Sequence, residues 1–359
     1  MRKPIKILDW FIIRKFLGTY VFAIILILAI TVMFDVNEKL DAFMKAPFKA
    51  TIFDYFVNFL PYFANQFSPL FTFIAVIFFT SKLAGNSEII AMLSTGMSFR
   101  RLTRPYLISA TVIAIATFVL SAYVIPPANV KRINFTNTYV KNKRVDYGTN
   151  IMMQTAPGEI AFFQRYDNIT KTGYKFSLER FEDKKLVSRL TAQSIKYDTA
   201  YNWRVIDYVI RDFAGNRELI KKGSSLDTII PIQPRDFLIA KNDQETLTSP
   251  ELKEYINRQK ERGVANIKSF EIELERRYAM TAAAFILTII GLSLSSRKVR
   301  GGMGVNLGIG LVLAFSYLLF MTVTSSFAVS GLTSPRVAMW IPNIIYTIIA
   351  IILYRKASQ

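Results

Sequence analysis

Six oily segments separated by charged ones decide what this chain can fold into. A helix needs about 20 mostly apolar residues to cross a hydrocarbon core of roughly 30 Å. Six stretches meet or approach that length: residues 16–36 ("FLGTYVFAIILILAITVMFDV"), 55–80, 105–125, 279–296, 305–329 and 337–354. Within lipid every backbone N–H and C=O must be bonded inside the segment, so these stretches predict six transmembrane helices. The first has a long apolar core and no small-residue cleavage pattern, and it reads as a retained helix rather than a signal peptide.

The net charge of +19 is explained by topology before any anionic partner is invoked. Arg2, Lys3, Lys6, Arg14 and Lys15, then Arg100, Arg101 and Arg104, then Arg297, Lys298 and Arg300, then Arg355 and Lys356, all flank oily segments. Cytoplasmic loops carry the excess of Lys and Arg. This puts the N-terminus, residues 82–104, residues 297–303 and the C-terminus inside, and leaves no need for a nucleic-acid partner. The loop at 330–336 carries only Arg336, as an outside loop should, whereas 37–54 interleaves Lys39, Lys45 and Lys49 with Glu38, Asp41 and Asp54. Alternation of six spans then places residues 127–277 outside.

Composition removes most catalytic chemistry. With no Cys and no His, thiolate zinc sites, Cys nucleophiles and His-based triads are excluded. No G-x-x-x-x-G-K-[ST] occurs. The glycine cluster "RGGMGVNLGIG" (300–310) is not preceded by a strand and is followed by a span, so it reads as close helix packing through small residues. Asp35 and Asp54 lie only at span ends, which leaves no acid pair for intramembrane catalysis. Lys82, also at a span end, reads as an interfacial anchor. The expectation is binding rather than covalent chemistry, with no bound cofactor and no metal.

Between the third and fourth spans the period changes from helical to two. In "GYKFSLER", Tyr174, Phe176 and Leu178 fall on one face and Lys175, Ser177 and Glu179 on the other. Similar runs recur between turn-prone "DNITKTG", "EDKK", "DTAYN" and "FAGNREL". An all-β, sandwich, barrel or jelly-roll-like domain follows. Its core is either filled or opens as an apolar groove, with Tyr174, Phe176 and Leu178 the candidate lipid-facing strand. A helix over about 250–262 closes the insert: Ser249 as N-cap, Pro250 in the first turn with Glu251, Lys260 and Arg262 in the last, Gly263 beyond, and Leu252, Tyr255 and Ile256 as its apolar stripe. The expected division is 1–126 (three spans), 127–265 (β insert) and 266–359 (three spans).

The stretch "GNSEIIAMLSTGMSFRR" (85–101) is too polar and short to be a span. At 100° per residue, Glu88, Ala91, Thr95 and Ser98 gather on one side, with Ser87 and Ser94 flanking. Ile89, Ile90, Met92, Leu93 and Met97 occupy the opposite arc. This predicts a helix over about 86–98, with Asn86 as N-cap, Glu88 near the positive helix end and Gly96 stopping it near Met97. Three arrangements suit that pattern: an interfacial helix on lipid, a re-entrant gate, or a peg laid in a groove of a cytoplasmic partner.

The order of several motifs is similar to one family. "LDWFIIRKFL" before the first span, "EIIAMLSTGMSFRRLTRP" between the second and third, "LTAQSIKYDTAYNWRVIDYVI" in the insert, and "ELERRYAMTAAAFILTIIGLSLS" with "RKVRGGMGVNLGIGLVLAFSYLLF" after it resemble the lipopolysaccharide export permeases, the LptF/LptG family. The resemblance implies an inner-membrane permease subunit of an ATP-driven lipopolysaccharide extractor. Such a subunit stands beside a second permease of the same family or a copy of itself, above a separate ABC ATPase dimer that binds the ATP and Mg. It implies a jelly roll that passes lipopolysaccharide to periplasmic jelly-roll bridge proteins, and lateral-gate helices at the first and fifth spans. Laid on this sequence, the ATPase-coupling helix comprises Glu88, Ile89, Ala91, Met92, Leu93, Thr95, Gly96, Met97, Ser98 and Arg100. Two departures stand out. Thr281 occupies a position where members commonly have Pro, and the first span has Asp35 near its outer end without clear counterparts of the basic residues that grip lipid phosphates in some members. Two other readings accommodate an outside β domain: a membrane-anchored sensor, and a lipoprotein-release permease, which has typically four spans.

Overall fold

The computed structural model describes residues 6–140, 147–215, 217–237, 243–262, 267–297 and 302–358. Arg2, Lys3, Gly263, Lys298, Arg300 and Gly301, named above, lie outside them. The chain forms two compact units, Met1–Val140 with Glu271–Gln359, and Lys141–Phe270.

The first unit is helical, and among its described residues six helices are long and apolar enough to cross a membrane. Helix α1 (Ile7–Glu38) has 32 residues and so runs about 48 Å, well beyond the expected 16–36. The second oily stretch is not one helix. It divides into α2 (Val57–Gln66), which carries Pro61 inside, and α3 (Ser68–Gly85), with Phe67 between them off helical geometry at φ −100°, ψ 9°. Pro69 explains the break: it has no N–H to continue the ladder and is best tolerated in the first turn of a new helix, where it stands. Helix α3 is then only 18 residues, and it is the most enclosed span, with 78% of its apolar window buried.

The third span runs from Phe99 to Val140, past the expected end at 125. Helix α5 (Phe99–Val119) passes through a π-turn at Leu120–Val124 into α6 (Ile125–Phe135). The Ile125 N–H donates to Leu120 O, and this wider turn resets the ladder just before Pro126 and Pro127, whose missing N–H groups would otherwise break the helix. The short helix α4 (Glu88–Ser94) lies between α3 and α5.

Helix α8 (Lys268–Ser295), α9 (Gly302–Ser330) and α10 (Pro335–Ser358) complete the unit. Thr281 lies inside an unbroken α8, its hydroxyl donating to Arg277 O at 2.8 Å. Helix α3 contributes Phe73 and Ile77 to one core, with Leu287, Ile290 and Tyr317, and Val76, Phe79 and Leu83 to a second, with Ile12, Phe16 and Tyr106. Of the glycine cluster, Gly310 carries the packing role expected of it. A Cβ there would stand 2.0 Å from Ile77 Cδ1, whereas Gly304 and Gly308 have open space. Gly310→Val should therefore lower the thermal midpoint by the equivalent of about 1–3 kcal/mol, and Gly308→Val by much less, as read by melting of the purified protein in detergent.

The second unit is a six-stranded sheet in the order β1-β2-β3-β4-β5-β6, all antiparallel. The strands are β1 (Tyr147–Ala156), β2 (Glu159–Asp167), β3 (Thr172–Glu182), β4 (Lys185–Tyr197), β5 (Asn202–Ala214) and β6 (Arg217–Ile229). The jelly-roll-like expectation is realised as a meander in which sequence neighbours are sheet neighbours. Its core is packed with Phe163, Tyr166, Phe176, Trp203 and Phe237, the Tyr166 and Phe237 rings stacking at 3.8 Å. Trp203 Nε1–H donates to Ile232 O at 3.1 Å, which satisfies the one polar atom of a fully buried indole.

The polar helix α7 (Ser249–Glu261) buries Leu252 and Ile256, two of the three residues of its expected stripe, and sets the third, Tyr255, against Phe270 in a tilted ring contact at 4.6 Å. Its N-cap is Thr248, not Ser249, because Thr248 makes the reciprocal bonds. The Thr248 N–H and hydroxyl both donate to Glu251 Oε2, at 2.9 and 2.6 Å. These bonds favour the ionised carboxylate and hold Glu251 below the usual carboxylate range. The cap's contribution is therefore complete above the unfolded-chain value near 4.3 and disappears as pH falls through the lower folded value. Glu251→Gln should remove stability at pH 7 and narrow the gap to wild type below pH 4, as read by thermal melts across that range.

Candidate functional site

The segment between α3 and α5 is built by four local decisions. Asn86 does not cap α4. Its Nδ2 donates instead to Glu88 Oε1 at 3.0 Å, and Ser87, at φ +62°, takes the cap position. The helix ends at Ser94, three residues before Met97, because Gly96 adopts φ +86°, a left-handed geometry that glycine accepts without a Cβ penalty. Ser98 then caps α5, its Oγ accepting from Arg101 N–H at 3.3 Å.

The structure divides the expected apolar arc. Ile89 is fully buried against Ile12, Phe16, Leu83 and Phe99, with Met92, Leu93 and Met97 half-buried beside it. Ile90 is 55% exposed on the other side. The large apolar side chains of α4 are thus mostly consumed by the protein's own bundle. What faces outward is Ile90, Ala91, Ser94, Thr95, Gly96, Ser98 and Arg100, with Glu88 partly covered. Of the residues assigned to coupling, Ala91, Thr95, Gly96, Ser98 and Arg100 stand on the open side, and Ile89 is a structural anchor.

One contact here was invisible to local pattern. Arg101 Nη1 and Nη2 donate to Asp9 Oδ1 and Oδ2 at 2.7 and 2.6 Å, across 92 residues. Asp9 is 4% exposed, and its Oδ2 also accepts the Lys6 backbone N–H at 3.0 Å. A bidentate Arg–carboxylate fork fixes orientation as well as distance. It ties the start of α1 to the first turn of α5. Tyr20 in α1 adds a second link at mid-helix, its hydroxyl 2.8 Å from Ser68 Oγ, which in turn lies 3.1 Å from Thr117 Oγ1.

Helices α1 and α9, the expected gate pair, both lack cover. Only 6% of the α1 apolar window and 28% of that of α9 is buried. Phe22, Leu26, Ile30 and Met33 make an open apolar stripe on α1, and Val312, Phe315, Leu319 and Val323 make one on α9. At the far end of α1, Asp35 pairs with Lys39, and Lys39 Nζ donates to Tyr55 OH at 2.6 Å. The Lys39 charge, ambiguous in sequence, is thereby held within the bundle.

The three candidate lipid-facing residues of β3 do not act together. Phe176 is 1% exposed and packs on Phe163 at 4.9 Å, and Leu178 joins the same core. Tyr174 is 40% exposed beneath the Arg165 guanidinium, 5.5 Å from its ring centre. Lys175, at φ +49°, interrupts the alternation between them. Phe176 and Leu178 pack into the core of the sheet unit.

No group of three or more acidic residues stands close enough to hold a metal ion among the described residues. Comparison with curated proteins gives no match. The profile of the family described as "Lipopolysaccharide export system permease LptF/LptG" matches residues 10–356, which reaches from α1 to α10 and takes in α4 and the β insert. With six membrane helices and an inserted antiparallel sheet in the expected places, this chain belongs to the LptF/LptG family of lipopolysaccharide export permeases.

Proposed function

We propose that the chain is one transmembrane subunit of an ATP-driven lipopolysaccharide extractor of the inner membrane, with both termini and α4 in the cytoplasm and the β insert in the periplasm. A lipid with several acyl chains cannot leave a bilayer unaided, since each exposed CH₂ costs about 0.8 kcal/mol. Extraction needs outside energy and a sheltered path. The observation that carries the reading is the one-sided anchoring of α4: Ile89 is locked into the bundle while Ile90, Ala91 and Thr95 stay open at the end where Arg100 and Arg104 lie. A rigidly mounted short helix with an uncovered face suits docking on a separate ATPase dimer that holds the ATP and Mg.

The open stripes of α1 and α9 support a second permease of the family, or another copy of this chain, as neighbour, with lipopolysaccharide entering between them. Six spans distinguish the chain from a lipoprotein-release permease. On the insert, β6 pairs only with β5 among the described residues and is exposed along most of its 13 residues. An unpaired edge strand is a template for strand addition, the contact a periplasmic bridge of like β domains would use.

Glu88 supplies the test. Glu88→Ala and Glu88→Lys should leave the protein in the membrane yet weaken ATPase association roughly 10- to 100-fold, the value of one charge-assisted bond. Copurification of the ATPase and release of lipopolysaccharide from proteoliposomes measure this. Unaltered release by both variants would overturn the assigned role, and a charge-swapped ATPase residue that rescues Glu88→Lys would secure it.

A further inference from the structure

A groove of about 630 Å³ lies between α5, α8 and α10, apart from the α1 and α9 stripes. Each helix gives it one face. Helix α5 contributes Arg100, Thr103, Arg104 and Leu107, the i, i+3, i+4, i+7 positions of a single stripe, and α10 repeats the spacing with Thr347, Ala350, Ile351 and Tyr354 followed by Arg355. Helix α8 supplies Phe285, Ile286 and Ile289. From Arg100 to Leu107 the stripe descends about 10 Å, changing from guanidinium to hydrocarbon, and α10 makes the same change from Arg355 to Thr347 and Ala350.

The charge at the mouth is not neutralised. No acidic residue lines the groove, and Arg100, Arg104 and Arg355 are exposed with no acidic partner among the described residues. Arg101, their neighbour on α5, is the one that Asp9 consumes on another side of the helix. Arg297 adds a further cation at the same end, since its Nη2 donates to Lys356 O at 2.7 Å. The mouth is braced by Phe99 against Tyr354, ring centres 5.4 Å apart. Three unpaired guanidiniums over an apolar, membrane-facing wall match one chemistry: a phosphate held by forked N–H donors with acyl chains running down the helices.

We propose that this groove is a binding site for an anionic phospholipid of the bilayer, its headgroup phosphate held by Arg100, Arg104 and Arg355 and its acyl chains lying on Leu107, Ile286, Ile289 and Ile351. Its lining includes no residue of α1 or α9. Its assignment to the cytoplasmic leaflet rests on the orientation proposed above, but the binding itself does not.

The test uses the full permease, purified with its natural partners and placed in nanodiscs of mixed phosphatidylglycerol and phosphatidylethanolamine, with retained lipid counted by native mass spectrometry. Wild type should hold phosphatidylglycerol in preference to phosphatidylethanolamine. The triple variant Arg100→Gln/Arg104→Gln/Arg355→Gln should lose that preference by at least about tenfold, in line with three cations near a membrane surface. A variant with three exposed lysines removed elsewhere, Lys45→Gln/Lys49→Gln/Lys131→Gln, should keep it. Ile289→Trp, which fills the groove and leaves its charge intact, should displace the lipid too, so that a folding defect in the triple variant does not decide the outcome. Equal retention in wild type and both groove variants would overturn the proposal. So would equal binding of the neutral lipid, or photocrosslinks from residue 107 that capture only a partner helix. None of these readouts depends on transport, and Ile289→Trp leaves Arg100, one of the expected ATPase-coupling residues, intact, so this proposal and the proposed function fail separately.

Discussion

Arg101→Ala should be the most damaging single substitution in the helical unit. It leaves the Asp9 carboxylate, 4% exposed, with only the Lys6 N–H as partner. An uncompensated charge of that kind costs about 3–5 kcal/mol. The expected result is a large fall in thermal midpoint and in the amount of intact permease recovered from membranes. Arg101→Lys keeps the charge but loses the fork, so it should fall between the variant and wild type. The reversal Asp9→Arg/Arg101→Asp should recover part of the loss. Full stability of Arg101→Ala would show that the pair is not what holds the start of α1 to the start of α5. The pair also offers a path from an ATPase docked on α4 to α1: a load on α4 reaches Arg101 within one turn of α5, and through Asp9 it reaches the proposed gate helix. Arg101→Lys should accordingly lower lipopolysaccharide release per ATP hydrolysed more than it lowers ATPase association.

Two adjacent isoleucines provide the second large contrast. Ile89→Ala removes a fully buried side chain and should cost about 2–5 kcal/mol, read as a lower melting temperature with ATPase binding reduced only as the fold is lost. Ile90→Ala, at 55% exposure, should change stability by no more than about 0.5 kcal/mol. Its effect should fall instead on copurification of the ATPase. If Ile90→Ala were silent in copurification and Ile89→Ala neutral in stability, α4 would be mounted the other way round, with its larger apolar face offered to the partner.

The contrast also marks where local pattern stops being informative. Helical projection places Ile89 and Ile90 in one arc because they are 100° apart, and hydropathy does not rank them. Only the position of Phe16 and Leu83 beneath Ile89 does. In β3 the period-2 pattern assigned Tyr174, Phe176 and Leu178 to one face, which is the residue-level truth for Phe176 and Leu178. Lys175 at φ +49° left Tyr174 exposed, and no side-chain alternation encodes that angle. The N-cap of α7 falls at Thr248, one residue before Ser249, although both are good caps by type. The choice was made by the Glu251 carboxylate reaching back to Thr248.

The break between α2 and α3 and the π-turn before Pro126 follow the same division. Pro61, Pro69, Pro126 and Pro127 are plain in the sequence as potential interruptions. Whether a proline ends a helix or is carried by a wider turn depends on whether neighbours hold the chain on either side.

The sequence by itself determined the number of membrane helices, the place and β character of the insert, the polar segment between the second and third spans, and the family. The first three rest on composition and on periods of 3.6 and 2 that a bilayer or a sheet imposes on contiguous residues, and the family rests on the order of motifs along the chain. The tertiary structure alone decided that Asp9 meets Arg101, that Lys39 turns inward to Asp35 and Tyr55, that Phe176 fills a core, and that three arginines from α5 and α10 converge at one groove. Those are contacts between residues far apart in the chain. Their energies depend on burial and on the distance and angle between groups, and neither is set until the helices and strands have packed.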